Sequence, residues 1–342
     1  MRILIDFLHP AHVHVFRNFR SEMLQRGHEV FATARDKDLT LELLDAFDIP
    51  AEVISVQHRG RLGLGTELLS RSRRLLAIAR RSRPDVLVGI MGPSIAPVGR
   101  LLRIPSVVFY DTENAGMTNR WVYPMAAAVC TPDCYRGRVR GNHITYPGYH
   151  ELAYLHPDRF IPDPAVVEAA GLSVKDPYAI MRFVGWQASH DLGEEGLTVA
   201  DKRAVVARLA EAGRVLISSE APLPDDLETL ASRVPAASIH HLIAFASMVV
   251  GESATMASEA AVLGVPAVYI ADTGRGYTDE QQHRYGLVKQ VPPHDRDAIR
   301  TAINSFLARD RHEFAAARRR LLSDKIDTTS WMVDFIERRG WR

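Results

Sequence analysis

The 342-residue sequence predicts an α/β chain of two doubly wound parallel-sheet halves facing a cleft, followed by C-terminal helices. Three observations predict it. Short continuous apolar runs recur with helical stretches between them, the mark of strands buried on both faces and so of parallel sheets under crossover helices. The alternation pauses at a proline-punctuated stretch around residues 146–164 and then resumes. The length also exceeds what one hydrophobic core usually supports.

In the first half, runs at residues 3–7, 29–33, 51–55, 86–90, 106–110 and 127–131 predict strands. A periodic helix over 13–26 stops at Gly27, a natural C-cap. "SRPD" at 82–85 ends a longer helix, because Pro84 cannot continue it. In the second half, strands are expected at 178–183, 215–219, around Ser238, 248–250 and 265–270, with helices near 199–212 and 255–263. Residues 296–342 read as helices. Each half is Rossmann-like, giving domains over 1–152 and 153–325 and a last segment, 326–342, that packs back on the first domain. Ligand crevices at the C-terminal strand ends place the site in the cleft.

Lys and Arg total 42 against 41 acidic residues, a charge of +1, so the chain carries no bias toward nucleic acid. Cys130 and Cys134 are too few for a disulfide framework or a zinc site and fit a reducing, cytoplasmic compartment. No apolar run approaches the roughly 20 residues that span a bilayer.

The sharpest motif is "GESATMASEAAVLGVPAVYI", 251–270: a small-residue loop after a buried strand that opens a helix. Free N–H groups there suit phosphate, with Ser253 and Thr255 as added donors and Glu259 placed to accept from two ribose hydroxyls. Simple capping by Ser253 or Thr255 is the plainer alternative. In "MRFVGWQASHD", 181–191, Arg182 is a candidate for the diphosphate and Trp186 for base, sugar or acceptor; a structural Arg–Asp pair with a core Trp is the alternative. "TGRGYTDEQQHRYGLV", 273–288, offers Arg275, Tyr277 and Glu280, or is a surface loop. Arginines and leucines at helical spacing over 58–83 suit contact with an anionic membrane surface, though a solvated face against a core stripe is commoner. In "HPAHVH", His9, His12 and His14 lie too close along a strand-to-helix turn to converge on a metal. No metal and no cofactor is expected.

The segment "S-x-T-M-A-S-E-A-A-x-L-G-V-P" resembles the nucleotide-sugar signature of GT-B glycosyltransferases and of non-hydrolysing UDP-N-acetylglucosamine 2-epimerases; on it lie Ser253, Thr255, Met256 and Glu259. "RPDVLVGIMGPSIAPVGRLLRIPSVVFYDTENA", 83–115, is similar to a stretch of the N-acetylglucosaminyltransferase that makes lipid II. That enzyme's glycine-rich first loop is here "LHPAHVH". Closer still is domain-of-unknown-function family 354, through "D-x-x-x-P-x-H-V", "R-x-x-x-W-x-A-S-H-D" and "S-x-T-M-x-x-E-A". The resemblance implies a nucleotide-sugar donor, UDP-linked, in the second domain. It implies a hydroxyl acceptor in the first, lipid-linked or otherwise part of envelope polysaccharide synthesis, at the inner face of the membrane. His12 is the expected base, kept neutral by the helix dipole and oriented by Asp6 or Asp111, with Glu113 as rival base. A 2-epimerase recruiting Asp6, Asp111, Glu113 and Glu220, and a non-catalytic nucleotide-sugar-binding protein, are the alternatives.

Overall fold

A computed structural model describes residues 1–58, 60–113, 116–184, 196–220 and 222–338, apart from the side chains of Arg61 and Leu62. The chain divides into two compact units, Met1–Tyr154 with Ile326–Arg342, and Leu155–Lys325.

Up to Tyr146 the elements are β1 (Arg2–Phe7), α1 (Pro10–Gln25), β2 (Glu29–Asp36), α2 (Thr40–Ala46), β3 (Glu52–Val56), α3 (Gly60–Ser82), β4 (Val86–Ile90), α4 (Ile95–Leu102), β5 (Ser106–Phe109), α5 (Gly116–Trp121), β6 (Ala128–Pro132) and β7 (His143–Tyr146). There follow α6 (Leu152–Leu155), α7 (Pro164–Ala169), β8 (Tyr178–Phe183), α8 (Val199–Ala210), β9 (Arg214–Ser219), α9 (Ile239–Phe245), β10 (Met248–Gly251), α10 (Ala254–Leu263), β11 (Ala267–Ile270) and α11 (Gly276–Glu280). The chain ends with β12 (Val288–Val291), α12 (Arg296–Leu307), α13 (Arg311–Asp324) and α14 (Thr328–Arg338).

In the first unit seven strands pair in parallel in the order β3-β2-β1-β4-β5-β6-β7. β1, apart from Arg2 and Asp6, and β4 are apolar, and both are buried along almost their whole length because α-helices cover both faces. In the second unit five parallel strands run β12-β11-β10-β8-β9. Strand order reverses between β1 and β4 in one sheet and between β8 and β10 in the other, so each unit has its own crevice at the carboxyl ends of those strands.

Four parts differ from the sequence reading. β7 and β12 are edge strands, three of the four residues of β7 and two of the four of β12 being partly or fully exposed, and therefore lack the continuous apolar run that marks a central strand. No strand forms around Ser238. A 3₁₀ turn there leads into α9, whose buried His240, Leu242 and Ile243 follow helical spacing. α1 starts at Pro10, three residues earlier than its apolar periodicity suggests, since His9 caps it and proline is tolerated in a first turn. The proline-rich stretch expected as a linker begins in the interior: Tyr149, Leu152, Ala153 and Tyr154 are all buried.

The long helix α3 buries a stripe that starts with charge, Glu67 and Arg71, and continues as Leu75, Ile78, Ala79 and Ser82. Glu67 takes a two-pronged contact from Arg35 on β2, at 2.6 and 2.7 Å. Arg71 donates to Asp6 at the carboxyl end of β1 and, at 2.7 Å, to Ser55 on β3. Thr33 on β2 donates to the same oxygen of Asp6 at 2.7 Å. A buried pair is costly to break from one side. Arg71→Met, which strands the Asp6 carboxylate, is expected to lower unfolding free energy by about 3–5 kcal/mol in urea titrations, with much of the loss recovered in Asp6→Asn/Arg71→Met. A loss under about 1 kcal/mol would mean the pair does not hold α3 to the sheet.

Candidate functional site

In the second unit the segment after β10 divides its work residue by residue. Gly251 lies so close to β8 that a Cβ would sit 2.3 Å from the carbonyl oxygen of Arg182, so only glycine fits. Glu252, buried, accepts from the N–H groups of Val184 at 3.2 Å and Leu197 at 2.6 Å. Ser253 is the N-cap of α10 and accepts from the Met256 N–H at 3.3 Å. Thr255 occupies the first turn of α10 and is half-buried; Met256 is buried. Glu259 is buried as well, and its Oε1 accepts from Nε2–H of His240 on α9 at 2.8 Å. The ring thus fixes the carboxylate expected to meet ribose, a partnership between distant segments that the sequence does not signal.

Arg182, expected at the diphosphate, donates to Ser218 near the end of the neighbouring strand β9 at 2.7 Å and to Glu220 just past it. Its guanidinium is therefore already neutralised by an internal ion pair. Trp186 and the His190–Asp191 pair lie outside the described residues. Arg275 is buried at the start of α11, where it donates to Thr273 at 2.9 Å and to the Gly274 carbonyl at 3.1 Å; Tyr277 is buried beside it in sequence. Glu280 pairs with the buried Lys325 at 2.8 Å and, from the surface side, with Arg284 at 3.3 Å. The segment 273–285 is thus an ordered cap-and-helix, not an open surface loop.

In the first unit the three histidines of "HPAHVH" separate into three tasks. His9 caps α1, accepting from the Ala11 N–H at 3.2 Å. His14 packs between the rings of Phe47 and Tyr154, with centroids 5.6 and 5.3 Å away. His12 accepts from the Leu8 N–H through Nδ1 at 3.2 Å, so in the neutral ring the proton is on Nε2. Burial, with His9, His150, Lys37 and Arg71 nearby, holds its proton affinity well below the ordinary histidine range. The group that orients His12 is thus a backbone amide, while Asp6 is held by Arg71.

Asp111 is partnered by a residue that sequence reading did not single out. His150, following the edge strand β7, donates Nδ1–H to Asp111 Oδ2 at 2.9 Å. Its ring is 5% exposed, and Nε2 has no hydrogen-bond partner among the described residues. Burial alone would lower its proton affinity, but Asp111 and then Glu151 outweigh burial and raise it. Glu113, half-buried, accepts from the Arg136 N–H at 3.3 Å.

A family model described as a protein of unknown function, DUF354, matches residues 1–275. The chain belongs to this family. A transferase of Marinobacter nauticus, named as UDP-N-acetylglucosamine–N-acetylmuramyl-(pentapeptide) pyrophosphoryl-undecaprenol N-acetylglucosamine transferase, is 36% identical over 110 residues. That match covers 29% of this chain and 30% of the transferase, under a third of its length. Among solved structures, spinosyn forosaminyltransferase aligns over all of both chains with a TM-score of 0.68 at 15% identity. The UDP-GlcNAc 2-epimerase of Methanocaldococcus jannaschii, solved with UDP-GlcNAc and UDP, aligns over 94% of this chain and 99% of its own with a TM-score of 0.65 at 11% identity. The DUF354 chain therefore has the α/β fold of GT-B glycosyltransferases and 2-epimerases, with two parallel sheets. Both structural likenesses are of fold alone.

The two enclosed histidines impose opposite pH dependences on stability. His12, whose folded value is depressed, adds stability that is complete above its unfolded value of about 6.5 and is lost as pH falls toward the folded value. His150, whose folded value is raised, adds stability below about 6.5 that is lost as pH rises through the folded value. Each contributes a slope of at most about 1.4 kcal/mol per pH unit. In urea titrations from pH 5 to 8, His12→Gln is expected to flatten the acid-side loss and His150→Gln the alkaline-side loss; parallel curves for wild type and both variants would contradict the assignment.

Proposed function

We propose that this DUF354 protein is a metal-independent glycosyltransferase that moves a sugar from a UDP-linked donor to a hydroxyl acceptor. The observation that carries the reading is the Gly251–Glu259 segment. A close-packed glycine, a capped helix start and a fixed buried carboxylate stand in the order in which a diphosphate and a ribose would meet them. The α10 N–H groups carry the diphosphate charge, a task that suits a helix N-terminus and needs no metal. Residues 153–325 then hold the donor, with Ser253, Thr255, Met256, Glu259, Arg275, Tyr277 and Glu280 lining it and Trp186 contributing from the undescribed segment. Arg182 acts through its pairing with Glu220. Residues 1–152, with the helix in 326–342, hold the acceptor near His12, Asp111 and Glu113. The hydroxyl oxygen bonds to the anomeric carbon as the bond from that carbon to the phosphate oxygen breaks; the electron pair leaves with UDP, and the hydroxyl proton passes to the Glu113 carboxylate.

A lipid-linked acceptor in envelope glycan synthesis fits the partial relationship to a transferase that acts on a pyrophosphoryl-undecaprenol, and agrees with a cytoplasmic protein working at the membrane's inner face. Among the described residues no helix is long and apolar enough to cross a membrane. Peripheral contact is supported by α5, where Met117 and Trp121 are 80% and 63% exposed and the Arg120 guanidinium lies 5.4 Å over the Trp121 ring. On α3, Leu68 and Leu69 are exposed alongside Arg73 and Arg80. The fold likeness to 2-epimerases supports a second reading, in which the carboxylates of the first unit serve C2 chemistry and no acceptor is needed.

Calorimetry with UDP is expected to give saturable binding that Glu259→Gln weakens at least tenfold, about 1.4 kcal/mol. Unchanged affinity would remove the donor site. Incubation with UDP-N-acetylglucosamine alone in D₂O is expected to leave C2 unlabelled; deuterium at C2 would replace the transferase by the epimerase. Vesicles with anionic lipid are expected to co-sediment the protein at low salt, and Met117→Ser/Trp121→Ser to release it. Equal sedimentation of the variant would place the contact elsewhere.

A further inference from the structure

We propose that His12 meets substrate as a neutral hydrogen-bond donor through Nε2–H, not as a proton acceptor, and that the enclosed Asp111–His150 pair keeps it so. The inference deepens the transferase reading and rests on it.

The first observation is geometric. The Leu8 N–H is a permanent donor and points at Nδ1 of His12 at 3.2 Å, which commits the ring's one lone pair to the backbone. Nε2 carries the proton. To act as a base at Nε2 the ring would have to shed that proton and place it on Nδ1, against the amide hydrogen already there. Placement at the third position of α1 adds to this: the positive end of the helix opposes a second proton on the imidazole.

The second observation is the pair behind it. His150 carries its proton on Nδ1, toward Asp111, the reverse arrangement to His12. The groups facing His150 are Asp111 at the end of β5, Glu151 at its own side, and His12 on α1. The first two favour a charged imidazolium, and that charge disfavours a second one on His12. His9, Lys37 and the Arg71 guanidinium act in the same sense. Segment 147–153, which carries His150, is pinned in place: the Ile326 N–H donates to the Pro147 carbonyl at 2.9 Å, Thr328 to that of Tyr149 at 2.7 Å, and Asn18 and Thr329 to that of Ala153 at 2.8 and 2.7 Å. His150 is thereby held in place, and its charge, set by Asp111, acts on the proton affinity of His12.

A donor and a base respond differently to an amide. Glutamine presents an N–H near the place of Nε2–H but takes up no proton in this range. With UDP-N-acetylglucosamine as donor and the pyrophosphoryl-undecaprenol acceptor of the related transferases, His12→Gln is expected to release UDP within about tenfold of wild type, and His12→Ala to fall 10²–10³-fold, as on loss of one preorganised donor. Equal collapse of both variants would overturn the proposal. Long-range ¹⁵N–¹H spectra of the full chain test it without turnover. His12 is expected as the Nε2–H tautomer and uncharged at pH 6.5, and His150→Gln should raise its titration midpoint. A His12 ring in the Nδ1–H form, or a midpoint unmoved by His150→Gln, would also overturn it. If wild type releases no UDP while the spectra are as expected, the transferase reading fails and the tautomer assignment stands.

Discussion

A carboxylate at the carboxyl end of β1 has to be held in the dry interior, and much of the first unit is arranged around that requirement. The counter-charge for Asp6 comes from α3, whose Arg71 crosses to it while also reaching Ser55 on β3. One pair thus ties β1, β2 through Thr33, β3 and the crossover helix together at the point where strand order reverses. Ion pairing in a low-dielectric site is a poor source of net stability, because desolvation offsets most of the Coulomb gain. Its value here is positional. A slip of α3 by one turn would leave two opposite charges unpaired, so the register of the helix on the sheet is strongly specified.

The same cation shapes the electrostatics a few residues on. His12 sits among Arg71, Lys37, His9 and His150, and every one of them acts against a proton on its ring. His150, with two carboxylates for neighbours, is biased the other way. Two buried imidazoles in one unit are thereby driven toward different charge states, and their hydrogen bonds fix different tautomers. Environments that push like groups apart in this manner are the usual way a fold assigns distinct roles to chemically identical side chains.

Legibility in the sequence followed solvent exposure. Central strands such as β4 and β10 are apolar throughout, and β1 is apolar but for Arg2 and Asp6, because helices cover both faces, and their runs stand out. β7 and β12 lie at sheet edges, alternate or mix polar residues, and were not visible as strands. Missing β7 hid His150, since nothing in "YPGYHE" indicates a strand end until the strand is known. The capping Ser253 was readable because a cap is a local device, formed within three residues. The partners of Glu259 and Arg182 were not, because His240 and Glu220 are 19 and 38 positions away and only folding brings them together. Arginines in α3 illustrate the same point: sequence spacing separates a basic face from a core stripe, but cannot tell that Arg71 belongs to the core.

The second unit carries this contrast to its sharpest form. Along Gly251, Glu252 and Ser253 each side chain, or its absence, is used for construction: close approach to β8, anchoring of the Val184 and Leu197 amides, closure of the first turn of α10. Since Ser253 accepts from Met256 N–H, the amides left to meet an anion are those of Ala254 and Thr255, and a ligand there would be held mainly by backbone. Backbone donors keep their geometry when side chains change, provided the loop keeps its shape. On the proposed donor reading, affinity therefore depends on Gly251 and Glu252, which build the turn without needing to touch a ligand, as well as on Glu259.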